Sequence, residues 1–128
     1  MKRIVPILVI IICLTACKRT RIEPEGPTDV RVFNNSDRIF ENIVVNTSGG
    51  TYDFGNLEPQ AYSTYHRFEK AYPKADISLK AGGTTYSTPQ QDYTYMQYMG
   101  QMKITYKIYI SDEANHRLDT DVVPEGAL

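Results

Sequence analysis

Two thiols, two imidazoles, six serines and a knot of tyrosines are the residues of this 128-residue chain best suited to chemistry. The imidazoles, His66 and His116, have no metal-ligating residue at close spacing. A zinc site needs three or four ligands converging on one tetrahedron, so no metal site is expected. Nucleophilic catalysis needs a Ser, Thr or Cys beside a base that an acid holds in place. Ser36, Ser48, Ser63, Ser78, Ser87 and Ser111 fall in turns or alternate along strands, without a glycine-flanked elbow or a phosphate-cradling glycine loop. No catalytic, cofactor-binding or metal-binding residue is therefore assigned, and the chain is not expected to be an enzyme. One route to hydrolysis stays open. It requires two of His66, Asp92, Asp112, Glu113 and His116 to meet in a concave site.

The tyrosines offer recognition instead of reaction. Residues 87–101 form the one long loop, and Tyr93, Tyr95, Tyr98, Met96 and Met99 crowd into seven of its positions. A tyrosine presents a flat apolar body with a polar tip, which suits sugars and protein partners. The competing structural reading has these rings plugging one end of a core. Tyr93, Tyr95 and Tyr98 are the candidate contacts with a partner or ligand. The chain has no tryptophan, so stacking on glycans lacks its strongest residue.

The elements that position these residues read as strands. Asp29–Val32 alternates and stops at the turn formers Asn34-Asn35-Ser36-Asp37. Residues 39–46 and 51–54 flank Thr47-Ser48-Gly49-Gly50, a hairpin turn. Residues 61–68 form a further strand whose inward face is ambiguous, because Tyr62 and Tyr65 have opposite parity. Residues 75–81 alternate with apolar side chains at odd positions and turn through Gly82-Gly83 into 84–87. Residues 102–110 are the clearest case. Met102, Ile104, Tyr106, Ile108 and Ile110 take one face, and Lys103, Thr105, Lys107 and Tyr109 take the other. Ile104, Tyr106 and Ile108 should be buried and Lys103, Thr105 and Lys107 exposed. A last strand spans 116–123, with a frayed tail from Pro124. Seven to eight short strands without an amphipathic helix predict an all-β domain. The architecture expected is a single antiparallel, Ig-like β-sandwich, with a small β-barrel as the alternative.

The front of the chain has a different texture. Lys2 and Arg3 precede an apolar run from Ile4 to Ala16, in the manner of an export signal. The run is shorter than the roughly 20 residues a membrane span needs. Lys18, Arg19 and Arg21 follow it, where the positive-inside bias disfavours a span. The run ends in Leu14-Thr15-Ala16-Cys17, which resembles the lipobox of bacterial lipoproteins. The resemblance implies a diacylglycerol on the Cys17 sulfur, cleavage after Ala16, and an acylated Cys17 as the new N-terminus. The covalent lipid is the only non-protein group implied, and it anchors the chain to a membrane without spanning it.

The organisation expected is thus a signal peptide (1–16), a lipidated cysteine with an extended tether (17–27) and a β domain (28–128). Cys13 leaves with the signal and Cys17 is consumed by lipid, so the domain has no disulfide and relies on its core. Loss of Lys2 and Arg3 leaves 12 basic residues against 15 acidic ones, and this balance predicts no nucleic-acid partner. Residues 42–83, with Val30–Ser36, Phe54–Leu57, Ser63–Tyr65 and Thr105-Tyr106, resemble small envelope lipoproteins of the Bacteroidetes. Those motifs belong to turns and packing, so the resemblance implies a fold and an envelope address but no activity. Gln60 stands where such proteins often carry a turn glycine. Lys18 follows Cys17, in place of the acidic residue that retains lipoproteins in the inner membrane. The resemblance therefore implies the outer membrane, with the domain facing the periplasm. The role expected is an accessory or interaction module, with an envelope protein as the candidate partner.

Overall fold

The computed structural model describes residues 26–128. The signal peptide, Cys17 and most of the tether lie outside the described residues. Eight strands follow in chain order: β1 (Thr28–Asn34), β2 (Glu41–Asn46), β3 (Thr51–Asp53), β4 (His66–Phe68), β5 (Asp76–Ala81), β6 (Thr84–Ser87), β7 (Met102–Asp112) and β8 (Arg117–Ala127). The described residues contain no helix.

All eight strands join one sheet in the order β3-β2-β5-β6-β8-β7-β1-β4, curled into a nearly closed barrel. The small barrel, rather than the two-sheet sandwich, is the architecture found. The sheet is also mixed, where uniformly antiparallel pairing was expected. β1 lies parallel to β7, from Asp29↔Lys103 to Asn34↔Ile108. β6 meets β8 in parallel through the single pair Ser87↔Arg117. That one pair is the corner at which two four-stranded halves fold over a shared core.

On the other side the edge strands β3 and β4 meet through side chains. The Tyr52 ring stacks on His66 at 3.7 Å, and Phe54 and Phe68 pack on the same imidazole. The Thr47 hydroxyl donates to the Lys70 carbonyl at 2.9 Å. A Cβ on Gly49 would lie 2.7 Å from the Lys70 carbonyl oxygen and 2.9 Å from its nitrogen. Glycine is needed there for close approach of two backbones. Two residues of this turn have positive φ, Ser48 at 67° and Gly50 at 149°, and the Ser48 N–H is held by the Asn46 side chain.

The core follows the alternation. Val30, Val32, Ile43, Val45, Ile77, Leu79, Ile104, Tyr106, Ile108 and Leu118 point inward and are buried. Ile108→Ala is expected to cost about 2–5 kcal/mol, because it empties a fully packed site. Equilibrium denaturation checks this, and a change within noise would contradict the observed register.

Three local expectations are corrected. Thr105 is fully buried rather than exposed. It sits between two long neighbours on the outer wall, accepting from Arg31 Nε at 2.9 Å and donating to Glu125 at 2.8 Å. Lys103 and Lys107 are half-buried, with their ammonium groups over the rings of Tyr65 and Phe33. The tail from Pro124 is not frayed, because β8 continues to Ala127, paired with Met102.

The ambiguity at 61–68 resolves into an irregularity of the strand edge. β4 pairs with β1 at Val30↔His66, and Phe33 bridges Tyr62, one residue out of step. In the gap the Ser63 hydroxyl accepts the Val32 N–H at 2.9 Å. The extra residue brings Tyr62 and Tyr65 to the same outer face despite their opposite parity. The turn before it, Glu58 to Ala61, closes with Ala61 N–H donating to the Glu58 carbonyl. Gln60 holds the left-handed position at φ 62°, where a turn of this kind favours glycine.

Candidate functional site

Strand direction sorts the surface into two ends and a wall. β1 and β7 start, and β2, β4 and β8 finish, at the end where the chain enters. Gly26 lies there beside Glu69, Lys70 and Tyr98, around a groove of about 280 Å3. The loop 88–101 crosses this end. Met99 N–H donates to the Ala71 carbonyl, and the Thr28 hydroxyl donates to the Gly100 carbonyl.

The three candidate tyrosines of that loop divide. Tyr93 and Tyr98 both pack against buried Tyr72, with ring centroids at 4.7 and 5.1 Å. The Tyr93 hydroxyl reaches the Asp76 carboxylate at 3.1 Å. Burial, followed by that hydrogen bond, pushes the Tyr93 phenol well above its ordinary value. These two rings cover one end of the core. Tyr95 stands apart at the tip, 94% exposed. The turn beneath it is fixed by Asp92, which accepts from both the N–H and the hydroxyl of Thr94. Beside it a groove of about 360 Å3 is lined by Asn46, Thr51, Asp76, Ser78, Ser87 and Gln90, among others.

The opposite end carries a cluster of charged and phenolic groups. Arg38 pairs with Glu113, and both hydrogen-bond the hydroxyl of buried Tyr86. A groove of about 440 Å3 opens over Ser36, Arg38, Tyr109 and Glu113. The Arg38 hydrogen bond holds the Glu113 carboxyl below its ordinary value of 4.5. On the wall, the hydrogen bond from Arg67 lowers Asp29 in the same way.

A depressed carboxylate adds stability above its unfolded pKa and loses it as pH falls through the lower folded value. Thermal stability is therefore expected to decline as pH drops below about 4.5. Asp29→Asn with Glu113→Gln should flatten that decline. A pH series of melting curves tests it, and an unchanged slope would count against these pairs.

The residues that would serve hydrolysis are not brought together. His66 is stacked in the β3–β4 seam, and Asp92 caps its own turn. Asp112 accepts from Asn115, and the His116 ring packs against Tyr86. Glu113 and His116 share a backbone turn bond and both reach Tyr86, without a hydrogen bond between their side chains. No group of three metal-ligating side chains is found among the described residues.

The feature that strand pattern alone did not mark lies on the wall over β1 and β7. The Arg31 guanidinium sits between the rings of Tyr62 and Tyr65, 4.0 and 5.0 Å from their centroids. Tyr62 packs on Phe33 at 4.4 Å. The Lys103 ammonium lies 5.6 Å from the Tyr65 centroid, and that of Lys107 lies 5.7 Å from the Phe33 centroid. Cations and aromatic faces thus form a row along the wall, Lys107, Phe33, Tyr62, Arg31, Tyr65 and Lys103, each holding its neighbour. The available signal was the pair of tyrosines at 62 and 65, whose common face depends on the irregular pairing.

No family model matches the chain, and no curated protein matches it. Among solved structures, an NMR structure of a protein from Eubacterium rectale aligns with 84% of this chain and 96% of its own. The identity is 16% and the TM-score 0.45. These comparisons do not show a family for the chain.

Proposed function

We propose that this chain is a lipid-anchored, non-enzymatic module of the bacterial envelope. It is held in the outer membrane through Cys17, with its domain in the periplasm, and it works by binding a protein partner. The observation that carries partner binding is the wall patch of Arg31, Tyr62, Tyr65, Lys103 and Lys107. Tyr62 is 47% and Tyr65 36% exposed. Tyrosine and arginine are the side chains most enriched at the energetic centres of protein interfaces. Here their rotamers are already fixed by stacking, so little side-chain entropy is lost on binding.

A photocrosslinking residue at Tyr62, used in intact cells, tests the reading. A discrete adduct is expected, absent when the crosslinker replaces Thr85 on the other half of the sheet. Tyr65→Ala should reduce the adduct about tenfold or more, the effect of losing one strong interface residue. Equal labelling from both positions would refute the patch as the contact. Proteinase treatment of intact cells tests the placement. Survival of the 28–128 domain until the outer membrane is broken is expected, and digestion beforehand would put it on the cell surface.

The alternative is a glycan- or small-ligand-binding surface formed by Tyr93, Tyr95 and Tyr98. It ranks second because Tyr95 alone of the three presents a largely exposed ring. Binding on a glycan array that is lost with Tyr95→Ala would reverse that order.

A further inference from the structure

The tip of the tyrosine loop and the point where the chain enters the domain lie at the same end of the barrel. Gly26 is packed against Gln101, with room for no Cβ between them. It shares a groove with Tyr98 and Lys70. Nine residue steps separate Gly26 from Cys17. Even fully extended, nine steps span roughly 32 Å. The opposite end of the barrel, with Arg38, Tyr86 and Glu113, lies the length of β7 away. The ten steps between its eleven residues cover roughly 33 Å along the strand, and less along the axis of a barrel whose strands tilt. If Cys17 is fixed in a bilayer, the far end reaches the headgroups only with the tether drawn out close to its full length. The entry end reaches them at no such cost.

We infer that the entry end of the barrel faces the bilayer and that Tyr95 lies in the lipid headgroup region. The inference rests on the lipid-anchor reading above. Tyrosine favours that region because its ring is apolar and its hydroxyl wet. Tyr95 is the most exposed large hydrophobic side chain among the described residues, and its turn is held rigid by Asp92. One residue binds a membrane weakly when alone. The anchor keeps it at high effective concentration, so weak affinity suffices. Asp29, Glu69, Asp76, Asp92 and Glu125 are near this end with Arg67, Lys70 and Lys103, a mixed set that does not favour an anionic surface. The contact is therefore with the interface itself and should be insensitive to salt. Tyr62, Phe33 and Lys107, on the part of the wall patch farther from the entry end, and the groove over Arg38 and Glu113 then stay free of lipid.

The absence of tryptophan from the chain supplies a clean reporter. The lipidated full-length protein carrying Tyr95→Trp is reconstituted into phosphatidylcholine vesicles, with or without brominated acyl chains. A second protein carries Ile39→Trp, at an exposed position between β1 and β2 near the far end. The Tyr95→Trp reporter is expected to shift to the blue and to lose at least half its emission to brominated lipid, in low and high salt alike. The Ile39→Trp reporter should keep a solvent-exposed spectrum. Vesicle flotation is scored on the same samples. Protein that floats with an unquenched Tyr95→Trp reporter, or with both reporters equally quenched, overturns the orientation while leaving the anchor intact. Protein that does not float overturns the anchor and the orientation with it.

Discussion

Replacement of Cys17 by serine is expected to leave the chain unprocessed and without lipid. The resemblance to a lipobox places the diacylglycerol on sulfur, and a serine hydroxyl is far too weakly acidic to stand in for a thiol. The energetic consequence is large. Each buried methylene contributes about 0.8 kcal/mol, so two or three acyl chains hold a protein firmly where one holds it marginally. The variant loses all of them. It should accumulate as the longer precursor, held by the apolar segment 4–16, and fail to incorporate labelled fatty acid. Mass spectrometry of the intact protein and metabolic labelling measure both effects. A shorter, fatty-acid-bearing, detergent-requiring form of the Cys17→Ser variant would contradict the lipoprotein reading.

The largest effect on folding is expected at Tyr106. Its side chain is fully buried in the middle of β7, and its hydroxyl donates to the Tyr72 carbonyl. Burial pushes the phenol well above its ordinary value, so it stays a donor at any working pH. Tyr106→Ala removes an aromatic ring from a packed core and should cost about 3–5 kcal/mol. That is a large share of the roughly 5–15 kcal/mol available to a domain of this kind. Tyr106→Phe keeps the ring and orphans one buried carbonyl, for about 1–3 kcal/mol. The Phe variant should also loosen the loop above, because Tyr93 and Tyr98 pack on Tyr72. Urea denaturation separates the two variants, and hydrogen exchange in residues 93–99 reads the loop. Equal stability of Tyr106→Phe and the parent would deny the hydrogen bond. A small effect of Tyr106→Ala would deny the packing.

Much of the barrel was legible because its strands obey period two. Residues 75–81 put Ala75, Ile77, Leu79 and Ala81 on one face, and all four are buried. The Gly82-Gly83 turn has two consecutive positive φ values, 58° and 81°, which a tight hairpin requires. At Thr47–Gly50 the turn was legible and the division of labour was not. The closeness of Lys70, 21 residues away in sequence, makes Gly49 a packing glycine. The tyrosine loop was legible as a loop, and the partition of its rings was not. That partition depends on where Tyr72 and Asp76 arrive, and neither has a fixed relation in sequence to Tyr93 or Tyr98.

By itself the sequence determined the all-β class, the identity and inward face of most strands, and the expectation of a lipid anchor. Each of these follows from local order: alternation, turn chemistry, and an apolar run ending at a cysteine. Tertiary structure alone decided that β1 lies parallel to β7 and that Thr105 is buried between Arg31 and Glu125. It also decided that Tyr62 and Tyr65 share a face, and that the tyrosine loop sits at the entry end. Alternation tells a strand which side is dry but not which strand lies beside it. An outer position becomes buried, or two rings become neighbours, only when segments 30 to 75 residues apart in sequence are brought side by side.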